Sequence, residues 1–174
     1  MAATWEYITG TTLSTGTTNV AITGIPSTYT DLVVICTLKF NNASNVNSYQ
    51  IRVNADSSSI YEGTYIQSSG NTNQSQGTGV NNNFQLGQIA GGNSTPFTFV
   101  RLDFLNYAGS LVYSTPRRTM LATIADINVG SSPMVYRSTM LYSSTNSISS
   151  IQFDPFSVGL AAGTTINVYG VLKA

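Results

Sequence analysis

The acid–base chemistry available to this chain rests on seven carboxylates: Glu6, Asp31, Asp56, Glu62, Asp103, Asp126 and Asp154. A glycosidase sets two carboxylates across a cleft, and no motif here places two together. Asp31, Asp126 and Asp154 stand at the ends of predicted strands, where a carboxylate bonds nearby backbone N–H groups and shapes a turn. Asp56 and Glu62 flank Ser57-Ser58-Ser59. They hint at a calcium site, which would need further acidic or carbonyl ligands. Histidine is absent, so a Ser-His-Asp triad, a Cys-His pair and His-ligated zinc are excluded within this chain. Cys36 is the one cysteine, so neither an intrachain disulfide nor a thiolate cluster can form. It lies in the apolar run Leu32-Val33-Val34-Ile35-Cys36 and is expected to be a buried, unreactive thiol. No catalytic, cofactor-binding or metal-ligating residue is assigned. The expectation is a non-enzymatic chain with no cofactor.

Other motifs also have plain structural readings. Gly77-Thr78-Gly79 would cradle a phosphate only if a helix followed it, and no helix pattern does. Arg117-Arg118 is the only adjacent basic pair. Between Pro116 and Thr119 it reads as the start of a strand, with a possible acidic neighbour in an assembly. The sequons Asn42-Ala43-Ser44, Asn73-Gln74-Ser75 and Asn93-Ser94-Thr95 are expected to follow from an Asn/Ser/Thr-rich composition, since residues 1–6 do not read as a signal peptide. The ten tyrosines invite a sugar-stacking reading. However, Tyr49, Tyr113, Tyr136, Tyr142 and Tyr169 fall inside strand patterns, where packing is the default.

Composition narrows the function further. Charged residues are 8% of the chain, with Lys+Arg and Asp+Glu at 7 each, against roughly 25% charged in an average domain. Ser, Thr, Asn and Gln supply 68 of the 174 residues. Such a chain has no electropositive footprint, so neither nucleic acid nor an acidic membrane is expected as a partner. No apolar run approaches the roughly 20 residues of a membrane span, and the N-terminus does not read as a secretory signal. Synthesis in a cytoplasm is expected. The 41% hydrophobic and 10% aromatic content is enough to build a core. A surface this poor in charge suits a chain packed into an assembly.

The elements that would hold these residues are strands. No window carries helical periodicity closed by caps. Runs rich in Val, Ile, Thr, Tyr and Phe predict strands over 4–9, 18–23, 31–40, 48–54, 60–67, 84–89, 97–106, 117–126, 133–142, 148–154 and 164–172. Segment 49–53 alternates, with Tyr49, Ile51 and Val53 opposite Gln50 and Arg52. Segment 97–106 sets Val100, Leu102 and Phe104 against Arg101 and Asp103, which are expected to pair. Segment 31–40 reads as a central strand covered on both faces, or as one covered in the assembled state. In 164–172, Ile166, Val168 and Leu172 share a face on which Gly170 leaves a gap. Residues 68–83 hold one apolar residue, Val80, and no charge. They are expected as a long polar loop, with a linker as the alternative. Residues 1–20 are an N-terminal arm or an edge strand, and 21–174 a single domain. The predicted fold is all-β, an antiparallel β-sandwich of jelly-roll type. An immunoglobulin-like sandwich is the second choice, and its Cys–Trp–Cys signature is absent.

Several segments resemble virion proteins of tailed bacteriophages, of the kind found with marine and cyanobacterial hosts. Ile25-Pro26-Ser27-Thr28-Tyr29-Thr30-Asp31-Leu32 resembles their I-P-x-x-Y-x-D-L turn before a long apolar strand. Ile66-Gln67-Ser68-Ser69-Gly70 and Leu102-Asp103-Phe104-Leu105-Asn106-Tyr107-Ala108 look like later strands and turns. Ile148-Ser149-Ser150-Ile151-Gln152-Phe153 and Leu160-Ala161-Ala162-Gly163-Thr164-Thr165-Ile166-Asn167-Val168-Tyr169-Gly170 look like the closing pattern. The resemblance covers most of residues 20–172, and its motifs are structural. It implies a head decoration (cement) protein on the virion. The partners implied are the major capsid protein or other virion proteins, and the chain itself, commonly as a homotrimer. The alternative it implies is a tail-fibre or receptor-binding domain for host surface glycan. It assigns no binding residue.

Overall fold

The computed structural model describes residues 4–41, 47–69, 72–89, 98–109, 117–126, 134–155 and 159–172. Among these there are twelve strands and no helix. In chain order they are β1 (Thr4–Thr12), β2 (Val20–Ile22), β3 (Asp31–Leu38), β4 (Asn47–Val53), β5 (Tyr61–Ser69), β6 (Thr72–Asn81), β7 (Phe84–Ile89), β8 (Thr98–Leu105), β9 (Arg118–Asp126), β10 (Met134–Tyr142), β11 (Ile151–Pro155) and β12 (Thr165–Leu172). Eight form one sheet in the order β1-β12-β3-β8-β9-β10-β5-β6, and four form another in the order β2-β11-β4-β7. Every pairing between them is antiparallel.

The period-2 patterns explain which faces meet. In β3, Leu32, Val34, Cys36 and Leu38 are all buried on one side. Their register partners Phe104, Leu102 and Val100 on β8 join them, as do Ile166 and Val168 on β12. Opposite, the small sheet contributes Tyr49, Ile51 and Val53 from β4, Phe84 and Leu86 from β7, and Ile151 and Phe153 from β11. One continuous buried cluster draws on both sheets, which makes the molecule a sandwich. Tyr61 of the large sheet meets Phe84 of the small one edge-on, with ring centroids 4.7 Å apart.

The eleven strands expected from sequence are all present, with ends shifted by a few residues. The stretch 68–83 corrects the reading. It is not a long loop, because Thr72–Asn81 is strand β6, paired along β5 from Ser69↔Thr72 to Tyr61↔Asn81. Residues 73–77 are exposed on both faces, so nothing in their sequence had to alternate. The N-terminal segment is an edge strand over Thr4–Thr12, in register with β12 except for a bulge between Tyr7 and Thr9.

The Ile25-to-Leu32 turn is fastened at several points. Gly24 takes a positive φ of 73°, open to glycine at little cost. The Ile25 N–H donates to the Ser149 carbonyl (3.0 Å) and the Thr30 N–H to the Val171 carbonyl (3.0 Å). The buried Tyr107 hydroxyl donates to the Pro26 carbonyl. Asp31 accepts the Asn106 N–H at 2.8 Å, the strand-end role its position suggested. The gap foreseen at Gly170 is filled by the Tyr29 ring, whose Cγ lies 2.3 Å from where a Cβ would stand.

Candidate functional site

Each described carboxylate side chain lies in a local contact. Asp103 takes a bidentate pair from Arg101, with the shortest N–O distance 2.7 Å. Asp154 pairs with Arg52 at 3.0 Å and accepts from Gln50 at 3.3 Å. Glu62 pairs with Arg117 at 3.1 Å. Asp56 accepts from the Ser58 hydroxyl, from the Ser58 N–H at 2.9 Å and from the Tyr142 hydroxyl at 3.0 Å. Those bonds, Ser58 foremost, hold its carboxyl below the usual range. Glu6 lies against the Tyr29 phenol and pushes that pKa up. Asp56 and Glu62, the pair considered for calcium, therefore have different partners. The side chain of Asp126 lies outside the described residues.

The remaining candidates resolve similarly. Arg118 opens β9 and is only 3% exposed. Its guanidinium donates to four backbone carbonyls: Asn146 (2.7 Å), Asn106 (2.7 Å), Thr145 (2.8 Å) and Gly109 (3.3 Å). It ties the turn after β8 to the turn after β10. Cys36 is fully buried, and burial pushes its thiol pKa up. Gly77-Thr78-Gly79 and Asn73-Gln74-Ser75 lie on β6. The sequons at Asn42 and Asn93 lie outside the described residues, as does Tyr113. Tyr49, Tyr136 and Tyr142 are buried, whereas Tyr169 is half-buried on the outer face.

That outer face, the side of the large sheet turned away from the small one, is the candidate site. Register across the strands places Phe99, Arg101, Asp103 and Leu105 of β8 there. Leu121 and Thr123 of β9 join them, then Val135, Arg137 and Thr139 of β10, and Thr64 and Ile66 of β5. At the far end stand Trp5 and Tyr7 of β1, with Tyr169 of β12 between them and β3. Nine large apolar side chains are exposed among the described residues, and seven belong to this face: Trp5, Tyr7, Ile66, Phe99, Leu105, Leu121 and Val135. Ile66 is 61% exposed and Tyr7 57%. A groove of about 860 Å³ runs over Phe99, Leu121, Arg137 and Ile66.

Trp5 leans across the sheet. Its ring is 6.1 Å from that of Tyr169, and the Arg101 guanidinium carbon is 5.3 Å from its centroid, a cation–π distance. Asp103 neutralises that guanidinium and raises its pKa. Arg137, exposed in the groove, makes no ion pair among the described residues. The face thus offers apolar side chains, threonine hydroxyls and one uncompensated cation. It can bury against another surface.

Comparison with protein families, curated proteins and solved structures finds no match. The alternation over 97–106 sets Arg101 and Asp103 on a wet face, and Phe99 and Leu105 share that face. Apolar residues at wet positions of alternating strands were the available signal.

Proposed function

We propose that the chain is a non-enzymatic structural subunit of a phage virion, a head decoration protein that lies on the capsid through the outer face of its large sheet. The observation that carries this is the gathering of exposed apolar side chains on that one face. Soluble monomers keep such patches small, and larger ones mark interaction sites. The near absence of charge supports dense packing without self-repulsion.

The strand order supports the jelly-roll form of the sandwich. In a jelly roll of eight strands, the first, eighth, third and sixth make one sheet and the second, seventh, fourth and fifth the other. Counting from β2, the small sheet β2-β11-β4-β7 follows the first order. The segment β3-(β8-β9-β10)-β5-β6 follows the second, with a three-stranded meander in place of one strand. β12 and β1 extend that sheet beyond β3.

A second reading, recognition of host glycan, is favoured by the exposed Trp5 and Tyr7 rings, since aromatic faces stack on sugar CH groups. One experiment separates the two. Purified protein is mixed with capsids lacking it and, separately, with host cells, and each is sedimented. The decoration reading expects binding at a fixed ratio to capsids and a raised capsid melting temperature, because a ligand of the assembled state stabilises it. Binding to cells alone would overturn it in favour of the glycan reading.

A further inference from the structure

We propose that two copies of this chain join edge to edge through β6, continuing the eight-stranded sheet across a two-fold axis. The contact extends the assembly reading but is tested on purified protein alone, so either can fail without the other.

β6, at ten residues, is the longest described strand, and among the described residues it lies at the end of a sheet. An edge strand presents a row of unpaired N–H and C=O groups, and proteins guard such edges by shortness, charge, proline or a bulge. The other end of this sheet is guarded: β1 carries Glu6 and a bulge after Tyr7. At one edge of the small sheet, β2 has only three residues. β6 has none of these guards along most of its length. It holds no charge and no proline, and no charged residue occurs from 63 to 100. Its one irregularity falls at its C-terminal end, which leaves Thr72 to Thr78 in unbroken register with β5.

The chemistry of β6 indicates what covers it. Asn73, Gln74, Ser75 and Gln76 are exposed. Each amide or hydroxyl both donates and accepts, so the strand is complementary to its own antiparallel copy. Like charges set opposite one another would oppose such pairing, and β6 has none. Gly77 and Gly79 add a second observation. Neither has a positive φ, and a Cβ at either would meet nothing within 4 Å. The chain's own fold does not require glycine there, and the missing side chains leave the faces of β6 bare at those positions. A second copy is always at hand, and two-fold contacts are the commonest kind.

Light scattering on the purified full chain tests the contact. The expected mass is twice the 18.5 kDa of one chain. Gln74→Lys/Ser75→Lys, two exposed positions whose side chains make no hydrogen bond among the described residues, should halve it while circular dichroism stays that of the wild type. Thr4→Lys/Thr12→Lys, with the same added charge on β1, should leave it unchanged. Amide exchange supplies a readout that needs no variant: β6 amides of the wild type should slow as concentration rises, and β1 amides should not. A wild-type monomer at about 100 μM, weaker than a specific contact, would overturn the proposal. So would a three-fold assembly, or a dimer untouched by the β6 lysines.

Discussion

Two core tyrosines differ in what their hydroxyls meet. The Tyr61 hydroxyl donates to the Asp56 carbonyl at 2.8 Å, while the buried Tyr136 hydroxyl has no partner among the described residues. Burial pushes both phenols' pKa values up. An unsatisfied buried hydroxyl costs desolvation with no return, whereas a bonded one contributes about 1 kcal/mol. Tyr61→Phe should therefore destabilise by about 1 kcal/mol, and Tyr136→Phe should be neutral or stabilising by a similar amount. Urea midpoints at constant m-value measure both, and equal losses would show that the Tyr136 hydroxyl is bonded. Arg118 is the more demanding case. Four carbonyls converge on one planar guanidinium, and an ammonium has three donors and no fork geometry. Arg118→Lys should cost about 2 kcal/mol by leaving carbonyls around the buried side chain unmatched. A loss no larger than that of Arg117→Lys, whose one ion pair is exposed, would contradict this.

At the scale of the element, Gly170 shows how a gap in one strand is filled from a distant turn. Its place on the core face is taken by Tyr29, and a Cβ there would lie 2.3–2.5 Å from the ring. Gly170→Ala should displace Tyr29 and cost about 2 kcal/mol, the range for overpacking a core. Gly170→Ala/Tyr29→Leu should recover part of it, and full additivity of the two losses would refute the contact. The gap at Gly170 could be read from the alternation Ile166, Val168, Leu172, but the residue that fills it could not, because the two lie about 140 residues apart. The same limit runs through the fold. Strands with one dry face, such as β4, β8 and β10, announce themselves by period 2, and β3 by its unbroken apolar run. β6 does neither, since both its faces are wet and its Asn, Gln, Ser and Gly disfavour strand by propensity. Its backbone bonds to β5 decide the matter. The dipeptide Gly70-Asn71 between two extended segments was the overlooked hairpin signal. The outer face was half legible: Arg101 and Asp103 were placed correctly opposite Val100 and Leu102, but sheet order was needed to bring Leu121, Val135 and Ile66 beside them.

At the scale of the whole molecule, the outer face makes a claim about salt. Arg101 is cancelled by Asp103, the formal net charge is zero, and apart from Arg137 the other side chains placed on the face above are apolar or hydroxylic. A contact built on such a face gains from area removed from water, about 25 cal/mol per Å², and little from long-range attraction. Its affinity for the assembly should change less than about threefold between ~0.05 and ~0.5 M salt, although the Debye length shrinks severalfold over that range. Leu121→Asp/Ile66→Asp should abolish binding while leaving the melting temperature within a few degrees, since both side chains are already exposed. A tenfold loss with salt would instead point to Arg137, the groove's uncompensated cation, meeting a carboxylate on the partner. In that case Arg137→Gln alone would reproduce the loss, and the aspartates would matter only as added charge. The apolar contact is overturned if Leu121→Ala/Ile66→Ala, which removes area without adding charge, binds as the wild type does.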